Sequence, residues 1–437
     1  MKNNKSDNMI TSYLHDGIFQ TKKVRDLNSI ISDIHKNKDL IVDVPVLALI
    51  EILDKLGKSF ITNEKLRKIE GSNFLALWLK RKNLIEMISL NLNNIKYLDE
   101  FVEIKENQYI KAQPRGLVAH WIAGNVPTLG IFSLVQSILC KNLNILRIPE
   151  KSVDTVIPIL KELNNIKIEH DNKKYNGSDI VKSLSVIYYP RDNAKANEML
   201  SKNADAKLIW GGKDSIRLIK SLPAKDHCED IIFGPKYSFG VFDREFLESE
   251  DLAKELSRAV MDIIVFDQSA CSSPQVLFFE KNNKYDMKQI AGLLKKEFKA
   301  IAKRYPKNNQ DYNTAARIIN ARGEYLLDEK KDIALAEALD WTILVNKEIC
   351  LEEPVQSRTI FIKEVGSIND IVPLITKRIQ TVGIAIKGLE KTKVFCSRIT
   401  YKGVARCIKF GSMNNYESPW DGMLALSRLV RFVKIKR

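Results

Sequence analysis

From Lys111 to Gly234, short apolar runs alternate with longer segments of helical period, and this alternation limits the possible folds more than any other feature of the 437 residues. RGLVAHWIA, LNILRI, SLSVIYY, AKLIW and EDIIFG read as buried strands. Between them, PTLGIFSLVQSILC, SVDTVIPILKEL, NAKANEMLSKN and DSIRLIKSL carry helical periodicity. Strands joined by crossover helices predict an open, doubly wound parallel sheet, an α/β architecture. Such sheets take ligands beyond the C-terminal ends of their strands, so the informative loops are AGNVP, PEKS, YPRDN, GGKDS and GPKYS. None contains GxGxxG, the usual dinucleotide fingerprint.

The flanking regions carry other patterns. Residues 1 to about 110 are helix-rich, with an extended IVDVP segment followed by helical patterns in LALIEILDKL and FLALWLKRKNLIEMISLNL. Ser59 in LGKSF resembles the end of a phosphate loop, but Ile52 stands where that motif needs its first glycine. After Gly240, the helix EDLAKELSRAVMDII leads into FDQSACSSPQVLFFE. A long basic helical stretch then runs to about Arg304, and strands near TILVN, RTIFIKEV and GIAIKG complete a second α/β domain. The tail LALSRLVRFVKIK reads as an amphipathic helix.

Sixty-nine Lys and Arg against 54 Asp and Glu leave a charge of +15, a bias that suits an anionic ligand, an acidic carrier protein or nucleic acid. Lys, Asn and Ile are abundant throughout, however, and no basic run interleaved with aromatics accompanies the charge, so a nucleic-acid partner is not expected. The six cysteines form no CxxC pair, which predicts reduced thiols in a cytoplasmic setting. The N-terminus lacks the apolar core of a signal peptide. IVDVPVLALIEIL, interrupted by Asp43 and Glu51, is too short to span a bilayer.

Among the cysteines, Cys271 stands in a small polar loop immediately before an apolar strand. A thiol so placed can meet a substrate, whereas a buried cysteine usually behaves as a small hydrophobe. The window alone leaves both readings open.

HWIAGNVPTLGIFSLVQSILCKN, SLSVIYYP, IWGGKDSI, IIFGPKYSFGVFD, FDQSACSSPQ and MNNYESPWDGMLALSRLV occur in that order. Together they resemble the LuxC-like fatty acyl-CoA reductases of bacterial bioluminescence and, more distantly, the aldehyde dehydrogenase superfamily. The resemblance covers roughly residues 100 to 437. It implies an aldehyde dehydrogenase-like fold: a helical N-terminal region and Rossmann-like NAD(P)-binding domain over 1–238, and a catalytic domain with a C-terminal element over 239–437.

The same resemblance implies that Cys271 is the nucleophile, attacking a fatty acyl thioester to give an acyl-enzyme that nicotinamide hydride reduces to the aldehyde. Asn125 matches the superfamily's oxyanion-hole asparagine, acting with the backbone N–H of Cys271. Taken alone, Asn125 reads as the N-cap of a helix opened by Val126 and Pro127, and the two roles are compatible. Aldehyde-oxidising members carry a glutamate that activates the hydrolytic water; here Ile232 holds that position, which favours reduction over oxidation. Lys236 keeps the lysine of the same motif, with a surface role equally open to it.

For the cofactor, the resemblance implies NADPH, with NADH open. Arg147 lies near the adenosine ribose, Glu150 and Lys151 follow it, and Gly211 and Gly212 let the pyrophosphate approach a helix N-terminus. A carboxylate at Glu150 would accept from a ribose 2′-hydroxyl and repel a 2′-phosphate, a repulsion that Lys151 and Arg147 offset. Glu353, beside Glu352, lies near the position of the superfamily's nicotinamide-ribose glutamate.

His120 reads as a core histidine before it reads as a proton donor, and His227, Cys228 and Cys140 as packing residues. Trp420 and Asp421 are expected to help wall the acyl site. Expected partners are fatty acyl-CoA or an acyl-carrier protein or acyl-protein synthetase, with a homo-oligomer possible for the superfamily. The rivals are an NAD-dependent aldehyde dehydrogenase forming the acid, and a carrier-protein or nucleic-acid binding module that keeps the fold without the chemistry.

Overall fold

The alternating segments form the expected strands, Leu117–Trp121, Leu143–Arg147, Leu184–Tyr188, Ala206–Trp210 and Glu229–Phe233, all paired in parallel. Numbered along the chain, these five lie side by side in the order 3-2-1-4-5, so the strand order reverses between Leu117–Trp121 and Ala206–Trp210. The computed structural model describes residues 9–307 and 310–437. The chain divides into two units, one of residues up to Gly234 together with Tyr416–Arg437, the other Pro235–Asn415.

In the first unit, the antiparallel strands Ile10–Leu14 and Lys22–Val24 extend the sheet beyond Leu184–Tyr188. The helix Leu129–Leu139 is buried along its whole length because LGIFSLVQSIL is apolar on nearly every face. N-terminal helices cover its outer side: Val46–Thr62 packs against it, and Trp78, from Ser72–Trp78, sets its ring edge-on to Phe132 at 4.9 Å. IVDVP is not extended as expected. Asp39–Val42 closes a short helix, and Pro45 caps the next one at Val46, where its fixed φ suits a helix start.

The tail also departs from expectation. Only Ala425–Arg428 is helical, and Val430–Lys436 is a strand paired antiparallel with Gln108–Pro114, which pairs in turn with Val102–Lys105. VRFVKIK is rich in β-branched and aromatic residues, a strand signal that the apolar LALSRL before it obscured. Tyr416 stacks on Phe132 at 4.8 Å and accepts a hydrogen bond from Gln136 Nε2 at 2.8 Å. Residues 416–437 therefore belong to the first unit, which corrects the boundary that placed the C-terminal element with residues from 239 onward.

The second unit holds a seven-stranded sheet in the order Asp332–Leu335, Thr342–Asn346, Thr359–Val365, Pro274–Glu280, Tyr237–Phe242, Ile379–Ala385, Arg406–Ile408. It is parallel except at its first pair. Pro274–Glu280 is buried at every position, as a central parallel strand must be. One face is packed by Leu252–Ile264 and Met287–Arg304, and the other by residues such as Tyr325, Phe395 and Ile399.

Candidate functional site

Cys271 follows an unusual turn. The helix Leu252–Ile264 ends at Val265, and the next three residues, Phe266, Asp267 and Gln268, all have left-handed backbones, with φ of 55°, 47° and 62°. Each such non-glycine residue costs on the order of 1 kcal/mol or more, so surrounding contacts must hold the turn in place. Gln268 is fully buried, and its carboxamide donates to the carbonyls of Pro274 (2.8 Å) and Thr359 (2.9 Å) and accepts from the N–H of Thr359 (2.8 Å). It thereby ties the N-terminal ends of two neighbouring strands to the loop.

Asp267 is braced by a second left-handed run, Gln356, Ser357 and Arg358, with φ of 67°, 54° and 62°. Arg358, almost wholly buried, sets Nε and Nη2 at 2.7 and 2.6 Å from Asp267 Oδ1, and the N–H of Ser357 donates to the Asp267 carbonyl at 3.0 Å. Lys307 Nζ donates to the Ser357 carbonyl at 2.9 Å; burial pulls its pKa down to about 8 although the neighbouring Asp267 carboxylate opposes the shift.

Beyond the turn, the Cys271 carbonyl accepts from Ser238 Oγ at 2.7 Å, and that hydroxyl accepts from the N–H of Thr381 at 3.0 Å. Ser272 and Ser273 donate to Asn414 Oδ1 at 2.8 and 3.2 Å, while Asn414 Nδ2 donates to the Asp262 carbonyl at 2.9 Å. Ser272 and Ser273 are buried, whereas Cys271 keeps part of its surface accessible. It is therefore a partly exposed thiol in a loop fixed on both sides, and not a residue of the core.

In the first unit a cleft of about 200 Å³ opens where the strand order reverses. Ligands of open α/β sheets bind at such a switch point. Its lining includes Trp121, Gly124, Arg147, Arg191, Trp210 and Gly211. Arg147 donates from Nη2 to the Tyr189 carbonyl at 2.9 Å and lies over the Tyr189 ring. Asn197 Oδ1 accepts from Trp121 Nε1 (2.9 Å) and from the Tyr189 hydroxyl (3.1 Å), which fixes Trp121 and Asn197 in the lining.

Gly212 precedes the helix Lys213–Lys220 without a side-chain cap, and a Cβ there would meet nothing within 4 Å. The indole N–H of Trp210, a buried residue, has no hydrogen-bond partner among the described residues. An open helix N-terminus, an unsatisfied donor and two guanidinium-bearing residues fit the phosphates and ribose of a nicotinamide dinucleotide.

Of the residues expected at this cleft, Arg147, Gly211 and Gly212 line it. Glu150 and Lys151 are exposed in the turn Glu150–Ser152, outside the lining, although the Lys151 stem lies close over Gly124. Trp121, Arg191, Asn197 and Trp210 were not foreseen. Their loops stood out as strand ends, but nothing in the residue types distinguished them from packing residues.

Asn125 is exposed in the loop between Trp121 and Leu129. It is not the helix cap: the N-cap of Leu129–Leu139 is Thr128. His120 is fully buried between Ser133 Oγ (2.9 Å) and Asn144 Oδ1 (3.0 Å), and burial pushes its pKa down to about 4. Ile232 packs against the first unit's core. Cys140 is buried in the same unit, Cys228 is half-buried, and His227 is paired with Asp205 at 3.2 Å. Trp420 is buried and stacked on Tyr416 at 4.6 Å within the first unit.

Glu353 is exposed in the second unit and holds a bidentate pair with Arg378 at 2.7 and 2.9 Å. Its carboxylate thus pairs with a cation of its own unit. Glu352 instead meets the buried Lys363 at 2.6 Å.

The family model for acyl-CoA reductase (LuxC) matches residues 42–432. The chain belongs to this LuxC family. It is 30% identical over 379 residues to the long-chain acyl-protein thioester reductase of Vibrio harveyi, spanning 85% of this chain and 75% of that protein. To the protein of the same description from Aliivibrio fischeri it is 27% identical, spanning 86% and 75%.

The fold of this LuxC-family chain is that of the aldehyde dehydrogenases. Aldehyde dehydrogenase C of Pseudomonas syringae, solved in complex with NAD+ and octanal, superimposes with a TM-score of 0.67 at 10% identity, covering 98% of this chain and 93% of that one. A glyceraldehyde-3-phosphate dehydrogenase of Methanocaldococcus jannaschii complexed with NADP gives 0.64 at 12% identity, covering 97% and 98%. Among the described residues, no helix is long and apolar enough to cross a membrane.

Proposed function

We propose that this protein reduces a long-chain fatty acyl thioester, carried by coenzyme A or by an acyl-protein, to the aldehyde with NADPH, through an acyl-enzyme on Cys271. The observation that carries the reading is a partly exposed thiol held in a braced loop, in a chain of the LuxC family. The Cys271 sulfur attacks the thioester carbonyl, the carbon–sulfur bond to the donor breaks, and the donor thiol leaves with a proton. Exchange of one thioester for another is nearly balanced, so binding energy can go to the transition state.

The Asn125 side-chain amide is the donor we assign to the developing oxyanion, from an exposed position in its loop. Arg147, Gly211, Gly212, Trp210 and the N-terminus of Lys213–Lys220 are the groups that would hold the dinucleotide. When bound, that cofactor would supply the hydride for reduction of the acyl-enzyme carbonyl, with Cys271 released as the leaving thiolate. Arg147 and Arg191 at the cleft, with Glu150 outside its lining, favour the phosphorylated dinucleotide over NADH. Ile232 offers no base to activate water, which favours an acyl-enzyme that waits for hydride. The surroundings are taken to be cytoplasmic, consistent with six free thiols.

The test is to follow NADPH oxidation with a long-chain acyl-CoA and to weigh the intact protein for an acyl adduct. Cys271→Ala is expected to lose the adduct and to lower turnover on the order of a thousandfold or more. Asn125→Ala should lower kcat on the order of a hundred- to a thousandfold while still acylating Cys271. An adduct that survives in Cys271→Ala would refute the assignment, and formation of fatty acid with NAD+ would favour an aldehyde dehydrogenase instead.

A further inference from the structure

A second cysteine, Cys350, stands on a different segment of the second unit from Cys271. Cys350 Sγ stands 3.0 Å from Lys363 Nζ, and Lys363, on the strand Thr359–Val365, is fully buried. The same ammonium donates to Glu352 Oε1 at 2.6 Å and to the Glu348 carbonyl at 2.9 Å, while Cys350 Sγ is 3.5 Å from Glu352 Oε1. Glu348, Cys350 and Glu352 together would suit a divalent cation. Lys363 already brings a positive charge to two of the three, so a metal would have to displace a buried ion pair.

The arrangement has the parts of a different chemistry: an oxidisable sulfur, an amine nitrogen in contact with it, and a carboxylate able to take the amine's proton. Burial raises the pKa of the Cys350 thiol, and the neighbouring Lys363 opposes that shift. Burial likewise pushes Glu352 upward, but its bond to Lys363 prevails and holds it below the ordinary carboxylate value.

We infer that Cys350 and Lys363 form a redox-responsive modification site, closing a reversible sulfur–nitrogen crosslink when the protein meets hydrogen peroxide. In the first step the Cys350 sulfur attacks a peroxide oxygen. The S–O bond forms, the O–O bond breaks, the thiol proton leaves with the departing oxygen as water, and sulfur is oxidised by two electrons. In the second step Lys363 passes one proton to Glu352, and its free nitrogen attacks the sulfenic sulfur. The S–O bond breaks as the N–S bond forms, and the hydroxide leaves as water with a second proton from nitrogen. The lysine charge and the glutamate charge vanish together, so no unpaired ion is left in the interior. Two equivalents of an added thiol restore the thiol and the amine.

The crosslink would restrain residues 351–362, the segment that carries the Gln356–Arg358 brace of Asp267. The inference does not depend on the proposed reaction, because Cys350 has no part in it.

The full-length protein is treated with hydrogen peroxide, its free thiols are blocked, and it is digested without reductant for peptide mapping. The expected result is a peptide pair joined at Cys350 and Lys363, two mass units lighter than the sum of the reduced peptides, that separates on treatment with dithiothreitol. It should be absent from Cys350→Ser treated in the same way. Recovery of Cys350 only as blocked thiol, sulfinic or sulfonic acid, with Lys363 unmodified, would overturn the inference. A crosslinked pair fourteen mass units heavier would overturn the direct S–N bond, since it would contain an intervening oxygen. The principal measurement is made on the unmutated protein, so a failure of the variant to fold cannot hide the result.

Discussion

Asp262 shows how one buried side chain makes the loop of Cys271 depend on pH. Its carboxylate accepts from the N–H of Gly411 at 2.6 Å, and its backbone carbonyl holds Asn414, the partner of Ser272 and Ser273. Burial raises its pKa to about 7, against the opposing hydrogen bonds from Gly411 and Met413. The folded value lies above the ordinary one, so the fold favours the protonated form. That contribution to stability is complete below about pH 4 and is lost as pH rises through about 7. Asp262→Asn is therefore expected to melt higher than wild type at pH 8, by roughly 5 °C, with the gap closing toward pH 4. Thermal denaturation across that range checks it, and a gap that widens on acidification would contradict the assigned pKa.

At the scale of elements, the central strands of the second unit depend on two facing glycines. Gly240 and Gly383 are paired in register on adjacent strands, and the buried ring of Phe410 fills the slot they leave. A Cβ at Gly240 would come within 2.6 Å of Phe410 Cε1 and 2.8 Å of Leu277 Cδ2. Phe410 is itself stacked on Phe242 at 4.8 Å and has little room to yield. Gly240→Ala should cost roughly 1–3 kcal/mol, read as a lower denaturation midpoint in urea.

The same scale separates what was legible in the chain from what was not. The five parallel strands and their helices were legible because apolar runs between helical segments admit few other arrangements. The antiparallel Ile10–Leu14 and the three-residue Arg406–Ile408 were not, since strands so short carry almost no periodicity. The polar loop of Cys271 before an apolar strand was legible, although that window left the role of the thiol open. Gln268, Asp267 and Arg358, which hold that loop, were not, because consecutive left-handed residues arise from tertiary contacts and leave no trace in residue type. Asn125 misled through a familiar local pattern, as the observed cap, Thr128, lies three residues beyond the expected cap position.

At the scale of the whole molecule, the three-stranded sheet joins distant parts of the sequence. Val430–Lys436 supplies one side of Gln108–Pro114, and Val102–Lys105 supplies the other. Removing residues 430–437 would leave a bare strand edge with exposed amide and carbonyl groups. The truncated protein is expected to melt at a lower temperature and to scatter light on warming before the full chain does. An unchanged melting curve would mean that the pairing contributes nothing to stability.

The return of Tyr416–Arg437 to the first unit makes the entire stretch Pro235–Asn415 an insertion within it. During synthesis, the first unit therefore receives Val430–Lys436 only after the second has emerged, whereas the unit carrying Cys271 is continuous and has all its strands once Asn415 has emerged. Cys271 thus belongs to a unit whose strands are all present while the other still lacks Val430–Lys436, so a nascent chain stalled near residue 415 would carry one complete unit and one unfinished one.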